Sequence, residues 1–495
     1  MKSGFLGGWY LASQAENAGS IPVTRSVTTT VTRPKSDRPK WVREVPLDVA
    51  CLSPLVVWWL AALPGYFSPD SLDVLQQVRS GEWTNVHTTM FTTWAYITTL
   101  HGSMPSLLTL AQAILLGLAL LTLARAIFPV QHHDALRRSV LVAFAVSPSF
   151  GGLSIMAWKD VPYAAGALVV ATALLHISRT PNRVSGHPRV TAILLVVGGI
   201  LLSGFRWNGA VTVVLIAAAF AMVVRPIRRT ALVLLIVVGG VGASSLIVPE
   251  RVGLVEGPTW LQLNSRRLHD IAVGISDGSF VPDPDQSRRL KSVMPISNWK
   301  IAGNDCSTHD EMMFSEFSRL EDEQREHLRQ VLPMWDAFAD NAPLTVVKSR
   351  ACKLLPSLFP VQLGPTRPLA LWSRPNLDPE LAQPRHLGVI SDVVEGVADR
   401  SNTAPWLNWS LFRTPVWLML NLVALGWLVM QRRLRREHIL ITVIAVAVQL
   451  SAGLVAYAQD YRYTAGALFL LQLNLVKMIR DGMATAINPE STNTY

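Results

Sequence analysis

The chain has 495 residues, half of them apolar and only 16% charged. Soluble domains carry about a quarter charged residues, so this deficit and a mean hydropathy of +0.31 point to a lipid environment and away from a soluble enzyme. The net charge of +10 is not that of a nucleic-acid binder, because the arginines sit in short clusters between apolar runs, which is how a membrane protein fixes its orientation.

In chain order, residues 1–46 are rich in Ser, Thr, Arg and Lys and lack both apolar periodicity and the cleavage pattern of a signal peptide. They read as a disordered cytoplasmic tail. A hydrocarbon core ~30 Å thick needs about 20 apolar residues per helix, and on that measure the chain holds about ten spans. They fall near residues 48–66, 104–128, 138–156, 161–178, 190–206, 209–224, 230–248, 411–430, 438–457 and 464–479. The expected organisation is a transmembrane module over 47–248, an extracytoplasmic segment over 249–410, a second transmembrane module over 411–480 and a cytoplasmic tail over 481–495.

Orientation follows from the basic residues of the short loops. With the N-terminus inside, the cytoplasmic loops hold Arg137 and Arg138; Arg179, Arg183 and Arg189; Arg225, Arg228 and Arg229; and Arg432, Arg433, Arg435 and Arg436. The short outer connections hold only Arg79, Lys159, Arg206 and Arg462. Both termini are therefore expected in the cytoplasm. Trp83, Trp158, Trp207, Trp406 and Trp409 then lie at the outer boundary, as an interfacial aromatic belt would.

Two outer segments are long. The first, residues 65–103, begins with a turn at Pro64-Gly65 and a short helix for which Ser68 is the N-cap and Pro69 the first helical position. At 100° per residue Asp70, Asp73 and Gln77 share one face, and Leu72, Leu75 and Val78 the other. The plain account of Asp70 is a first-turn carboxylate that complements the helix dipole. A second short helix follows over 88–100, capped by Asn85 or Thr88, with His87 at the end of a helix that favours an anion such as phosphate. The second outer segment contains a soluble helix around Asp310–Ala339, and its Cys306 and Cys352 can pair as a disulfide if it is extracytoplasmic. The three cysteines of the chain show no zinc-ligand spacing.

The remaining outer charges close spans: Lys159-Asp160, Arg206 with Asn208, and Asp460, Arg462 and Tyr463. Each alone can snorkel to water. Together, each outer cation sits beside a polar partner, the arrangement expected of a bundle-facing site. The carboxylates suit a general base or a metal, and the cations suit a phosphate.

The motifs Pro64-Gly65, Asp70-Ser71, Gln77, Gly81 and His87, with Lys159-Asp160, Arg206-Trp207-Asn208-Gly209 and Arg462-Tyr463, resemble those of the GT-C superfamily of integral-membrane glycosyltransferases. The resemblance is greatest to a bacterial branch that uses polyprenyl-phosphate sugars. It implies an all-α polytopic protein of the bacterial plasma membrane, with two juxtamembrane helices in the first outer loop and an active site on the outer face. The implied donor is a sugar on a polyprenyl phosphate, and the implied acceptor a lipid, glycan or protein. Asp70 would be the catalytic base, with Asp73 the runner-up; Arg206, Arg462 and Lys159 would hold the donor phosphate. His87, Ser71, Gln77, Asp160, Asn208 and Tyr463 would position donor or acceptor, and outer tryptophans would stack on a sugar ring. The sequence departs from the pattern at Thr88-Thr89, where prolines are expected, and it lacks an Asp-x-Asp or Asp-Glu pair in the loop, which leaves a divalent metal open. A transporter or flippase, and a polymerase or ligase for lipid-linked glycans, are the competing readings. The long outer segment would select the acceptor. Its Arg266, Arg267, His269 and Asp270 read first as a solvated helix face and second as headgroup contacts.

Overall fold

The computed structural model describes residues 40–84, 87–129, 133–179, 188–223, 259–306, 312, 316–317, 320–360, 388–455 and 461–483. Among these the chain is all helical except for an isolated parallel bridge between Tyr66 and Met156. The span expected over 230–248, most of both tails and Asp460 lie outside the described residues.

The first module runs α1 (Lys40–Ala50), α2 (Pro54–Ala61), α3 (Pro69–Ser80), α4 (Thr89–Thr98), α5 (Ser106–Ile127), α6 (Asp134–Val146), α7 (Pro148–Ser154), α8 (Asp160–Arg179), α9 (Pro188–Phe205) and α10 (Gly209–Val223). Four helical segments are long and apolar enough to cross a membrane: Glu44–Ala61, Ser106–Ile127, Asp160–Arg179 and Arg436–Leu454. A bent pair, Pro405–Phe412 and Thr414–Met430, makes a fifth if it is one span. Arg189–Phe205 and Gly209–Val223 are apolar but shorter. The run expected over 138–156 is divided, because Pro148 lacks an N–H and pushes Ser147 into extended backbone between α6 and α7.

Helix α8 lies at the centre, buried from Asp160 to Leu175. It packs on α9 through glycines: a Cβ on Gly166 would stand 2.8 Å from the Leu202 nitrogen, and one on Gly198 2.8 Å from Val170 Cγ2. Small residues of this kind let two apolar helices approach backbone to backbone.

A separate core is built on α11 (Thr259–Asp277), α12 (Pro284–Val293), α13 (Ile296–Gly303), α14 (Asp322–Val331), α15 (Met334–Asn341) and α16 (Pro343–Leu358). Leu268, Ile271, Trp299, Leu328 and Phe338 meet there. The single helix expected around Asp310–Ala339 is instead α14 and α15, divided at Pro333; residues 307–311 lie outside the described residues. Cys306 and Cys352 form a disulfide with a Cα–Cα distance of 5.9 Å.

Then follow α17 (Val389–Thr403), α18 (Pro405–Phe412), α19 (Thr414–Met430), α20 (Arg436–Val455), a 3-10 turn at Tyr461–Thr464 and α21 (Ala465–Met483). Ser391 of α17 donates to the Ala61 carbonyl at 2.7 Å, and Leu354 and Ser357 of α16 rest against Gly453 of α20. At the opposite end of the bundle α8, α20 and α21 are joined by ion pairs: Arg179–Glu437 at 2.6 Å, Lys477–Glu437 at 3.2 Å and Lys477–Asp481 at 2.9 Å. His438 lies 3.1 Å from Asp481.

Candidate functional site

The connection between α2 and α3 is fixed to the connection before α8 by backbone bonds. Gly65 has φ +118, and a Cβ there would overlap the Thr109 side chain, so only glycine fits. The chain then turns so that the Tyr66 N–H donates to Ile155 at 3.1 Å and the Ala157 N–H donates to Tyr66 at 2.9 Å. Ser68 and Ser71 form a reciprocal capping box, Pro69 follows in the first turn, and Gly81 ends α3 in the left-handed region. Ser71 Oγ also donates to the Ala157 carbonyl. Its role is thus to tie α3 to residues 155–159. Leu75 and Val78 face inward and pack with Phe91 and Ala95 of α4.

This clamp sets Asp70 3.7 Å from Lys159, with 43% of the carboxylate side chain exposed. Burial pushes the Asp70 carboxyl up, but Lys159, His87, Arg462 and Arg206 outweigh it and hold the group at about 2. Enclosure lowers the Lys159 ammonium and Asp70 raises it; Arg206 and Arg462 lower it further. The net direction is down.

Asp73 belongs to a second branch of the same network. Its Oδ2 accepts from Gln77 Nε2 at 2.8 Å and lies 3.1 Å from His87 Nε2. Gln77 Oε1 in turn accepts from the Thr84 N–H at 2.9 Å. His87 is 5% exposed, and its Nδ1 lies 3.3 Å from Lys159 Nζ. In the neutral ring, an ammonium donating to Nδ1 leaves the proton on Nε2, facing Asp73; in the charged ring both nitrogens donate. His87 precedes the Thr88 N-cap of α4, as expected, and its ring is held between Asp73 and Lys159. Thr88 occupies the N-cap of α4, but its hydroxyl donates to the Phe205 carbonyl at 3.2 Å instead of capping; Asn85 lies outside the described residues.

The third branch comes from the span ends. Arg206 pairs with Asp160, and the two are 9% and 2% exposed. Arg206 Nε donates to Asn208 Oδ1 at 2.9 Å, and the guanidinium lies 4.2 Å from the centre of the Tyr463 ring. Arg462 Nη2 donates to the Tyr463 hydroxyl at 3.1 Å and lies over Trp158 at 4.8 Å. Asn208 Nδ2 donates to Ser451 Oγ at 3.3 Å, and Tyr163 and Thr212 join the same hydroxyl cluster. Gly209 lets α10 start directly against α9, where a Cβ would overlap the Leu202 carbonyl.

Asp70, Asp73, His87, Ser71, Gln77, Lys159, Asp160, Arg206, Asn208, Arg462 and Tyr463 are therefore joined by contacts at one end of the bundle. Sequence reasoning missed Ser451, Tyr163 and Thr212. Their signal was a polar residue inside an apolar run; in the structure they gather around Asn208. Among the described residues no three His, Cys, Asp or Glu side chains converge as metal ligands. The carboxylates of the site are engaged by Lys159, His87 and Arg206. This donor set does not fit a divalent ion. What the arrangement offers is an accessible carboxylate surrounded by cations, which suits a proton acceptor beside an anionic leaving group.

No family model and no curated protein matches the chain. Two solved structures are similar to it over most of its length. One is the archaeal oligosaccharyltransferase AglB from Archaeoglobus fulgidus, in complex with an inhibitory peptide and a dolichol-phosphate, at 11% identity and a TM-score of 0.42, over 92% of this chain and 53% of that one. The other is ArnT from Cupriavidus metallidurans bound to undecaprenyl phosphate, at 15% identity and a TM-score of 0.34, over 91% of this chain and 81% of that one. The chain spans about half the length of the AglB chain. Both likenesses are loose, and the chemistry of the site rests on its own residues.

Proposed function

We propose that this chain is a membrane glycosyltransferase that moves a sugar from a polyprenyl-phosphate donor to a lipid, glycan or protein acceptor at the outer membrane face. The observation that carries the reading is the accessible Asp70 carboxylate 3.7 Å from Lys159, with Arg206 and Arg462 acting on it electrostatically from the span ends. The GT-C-like motifs at the same residues support it. In the proposed step Asp70 takes the proton of the acceptor hydroxyl, the acceptor oxygen bonds to the anomeric carbon, and the bond from that carbon to the phosphate oxygen breaks. The lipid phosphate leaves with the electron pair, and Lys159, Arg462 and Arg206 take up its charge.

A carboxylate held at about 2 is a weak base in the empty site. The donor phosphate corrects this: its negative charge offsets the same cations, and the Asp70 carboxyl rises toward the ordinary range when donor is present. His87 and Gln77 keep Asp73 and Lys159 in place. Asp160 and Asn208 orient Arg206, and Tyr463 spaces the two guanidinium groups. In the same proposal the chain has about ten spans with both termini cytoplasmic. The segment 249–410 lies outside and selects the acceptor.

The test is Asp70→Asn in proteoliposomes supplied with a polyprenyl-phosphate-linked sugar. Transfer is expected to fall at least about a hundredfold while insertion is retained and melting falls only slightly, by the loss of the Asp70–Lys159 pairing. Transfer at a near wild-type rate removes Asp70 as the base. Movement of lipid-linked sugar across the bilayer without transfer would favour a transporter.

A further inference from the structure

The outer segment encloses a second group of charges that the proposed transfer does not use. Asp270 and His269 of α11 are fully buried, which overturns the solvated-face reading for those two, while Arg266 is half-buried and Arg267 exposed. Its Oδ1 accepts from Ser349 Oγ at 2.8 Å, and its Oδ2 accepts from Trp335 Nε1 at 3.1 Å and Arg350 Nη2 at 2.6 Å. Lys353 lies one turn along α16 from Ser349, nearly enclosed, and Arg266 lies one turn before Asp270 on α11. Both act electrostatically in the same place as Asp270 and Arg350. The Arg267 guanidinium lies over the Trp335 ring at 5.0 Å. Two helices thus place Arg266 and Lys353 close to a carboxylate that accepts from Ser349, Trp335 and Arg350, with the exposed Arg267 over the Trp335 ring beside them.

As a packing device this arrangement is poor. Enclosure, aided by Arg350 and Arg266 against the pull of Asp270, lowers the Lys353 ammonium to about 7. A lysine held so far below its ordinary value costs the fold free energy that an apolar side chain of the same length would not. Groups held at such a cost are enriched at functional sites. The cluster is also fixed in place: the Cys306–Cys352 disulfide holds α16 next to Lys353, and His269 Nε2 lies 3.2 Å from the Asp305 carbonyl beside Cys306. From there α16 reaches Gly453, two residues from the Ser451 hydroxyl that accepts from Asn208.

We propose that Arg266, Arg267, Arg350 and Lys353 form a binding site for an anionic group, a phosphate or carboxylate carried on a sugar. That this sugar is part of the acceptor rests on the transferase reading; the anion site itself does not.

The test is calorimetric titration of the full chain in nanodiscs with glucose 6-phosphate and with glucuronate, and with glucose as the neutral control. At least one anionic probe is expected to bind and glucose not. Arg267→Ala, on the exposed rim, should weaken that binding about tenfold. Lys353→Met should do the same and abolish the proton uptake that accompanies binding above about pH 7. Asp70→Asn should lose transfer and keep the anion site, so the two readings fail separately. Failure of both anionic probes, equal binding of glucose, or unchanged affinity in both variants overturns the proposal.

Discussion

Lys159 stands between two acid–base groups, 3.7 Å from Asp70 and 3.3 Å from the His87 ring. Its ammonium is the nearest of the charges that hold the Asp70 carboxyl at about 2. The sign of the consequence follows directly. A depressed carboxyl stays ionised down to its lowered value, so transfer that depends on Asp70 as a base should be flat across the neutral and mildly acidic range. With Lys159→Met the carboxyl rises, and the acid limb of kcat, measured at saturating donor, is expected to move up by about one pH unit or more. An unmoved limb would show that another group sets it. The same shift bears on stability: the Asp70–Lys159 pairing stabilises the fold above the ordinary carboxyl value of 3.8, and that contribution is lost as pH falls toward 2. Individual residues were well legible in the sequence here. A carboxylate beside a helix start and a lysine beside a span end are unusual enough in an apolar chain to be found one by one. The state of His87 was not legible, because it depends on Asp73 and Lys159 reaching the two ring nitrogens from different elements.

At the scale of elements, α3 was the most readable. Ser68, Pro69 and Gly81 bracket it, and each acts through local backbone chemistry that needs no tertiary partner. The breaks at Pro148 and Pro333 were equally written in the chain, yet counting apolar residues over a window passes across a proline without registering its missing donor. Gly65 shows what a single residue can hold. It combines a positive φ with a missing Cβ against Thr109, so Gly65→Ala should destabilise the fold by about 1–3 kcal/mol. Because the turn aims α3 at residues 155–159, that variant is expected to lose transfer by more than its loss of stability accounts for. Melting temperature and transfer rate on the same preparation check this; equal losses would assign Gly65 to folding alone.

On the scale of the whole molecule, the convergence of four separate segments on Asp70 was beyond the sequence. Lys159, Arg206 and Arg462 are brought together by how α8, α9, α10 and α21 pack, and that packing depends on glycine contacts whose partners lie far along the chain. Residues 249–410 were legible as a polar insertion able to carry the Cys306–Cys352 disulfide, but not as a body with its own helical core. Removing that bond by Cys352→Ser should cost about 2–4 kcal/mol and lower the first melting transition, with the effect reproduced by reductant on the parent chain. No change under reductant would mean that the outer core alone fixes α16.

The ion pairs among Arg179, Glu437, Lys477 and Asp481 join α8, α20 and α21 at the end of the bundle remote from Asp70. At the near end the same three helices meet through hydroxyl groups and ring faces around Tyr163, Ser451 and Tyr463. Between these three helices charge pairs join the far end, and hydroxyl contacts that water can replace join the near end; the buried Asp160–Arg206 pair ties α8 to the α9–α10 connection instead. The bundle is therefore built like tongs riveted at the base. If the proposed transfer is right, a widening that admits a lipid-borne substrate would open at the tips, where Asp70 sits.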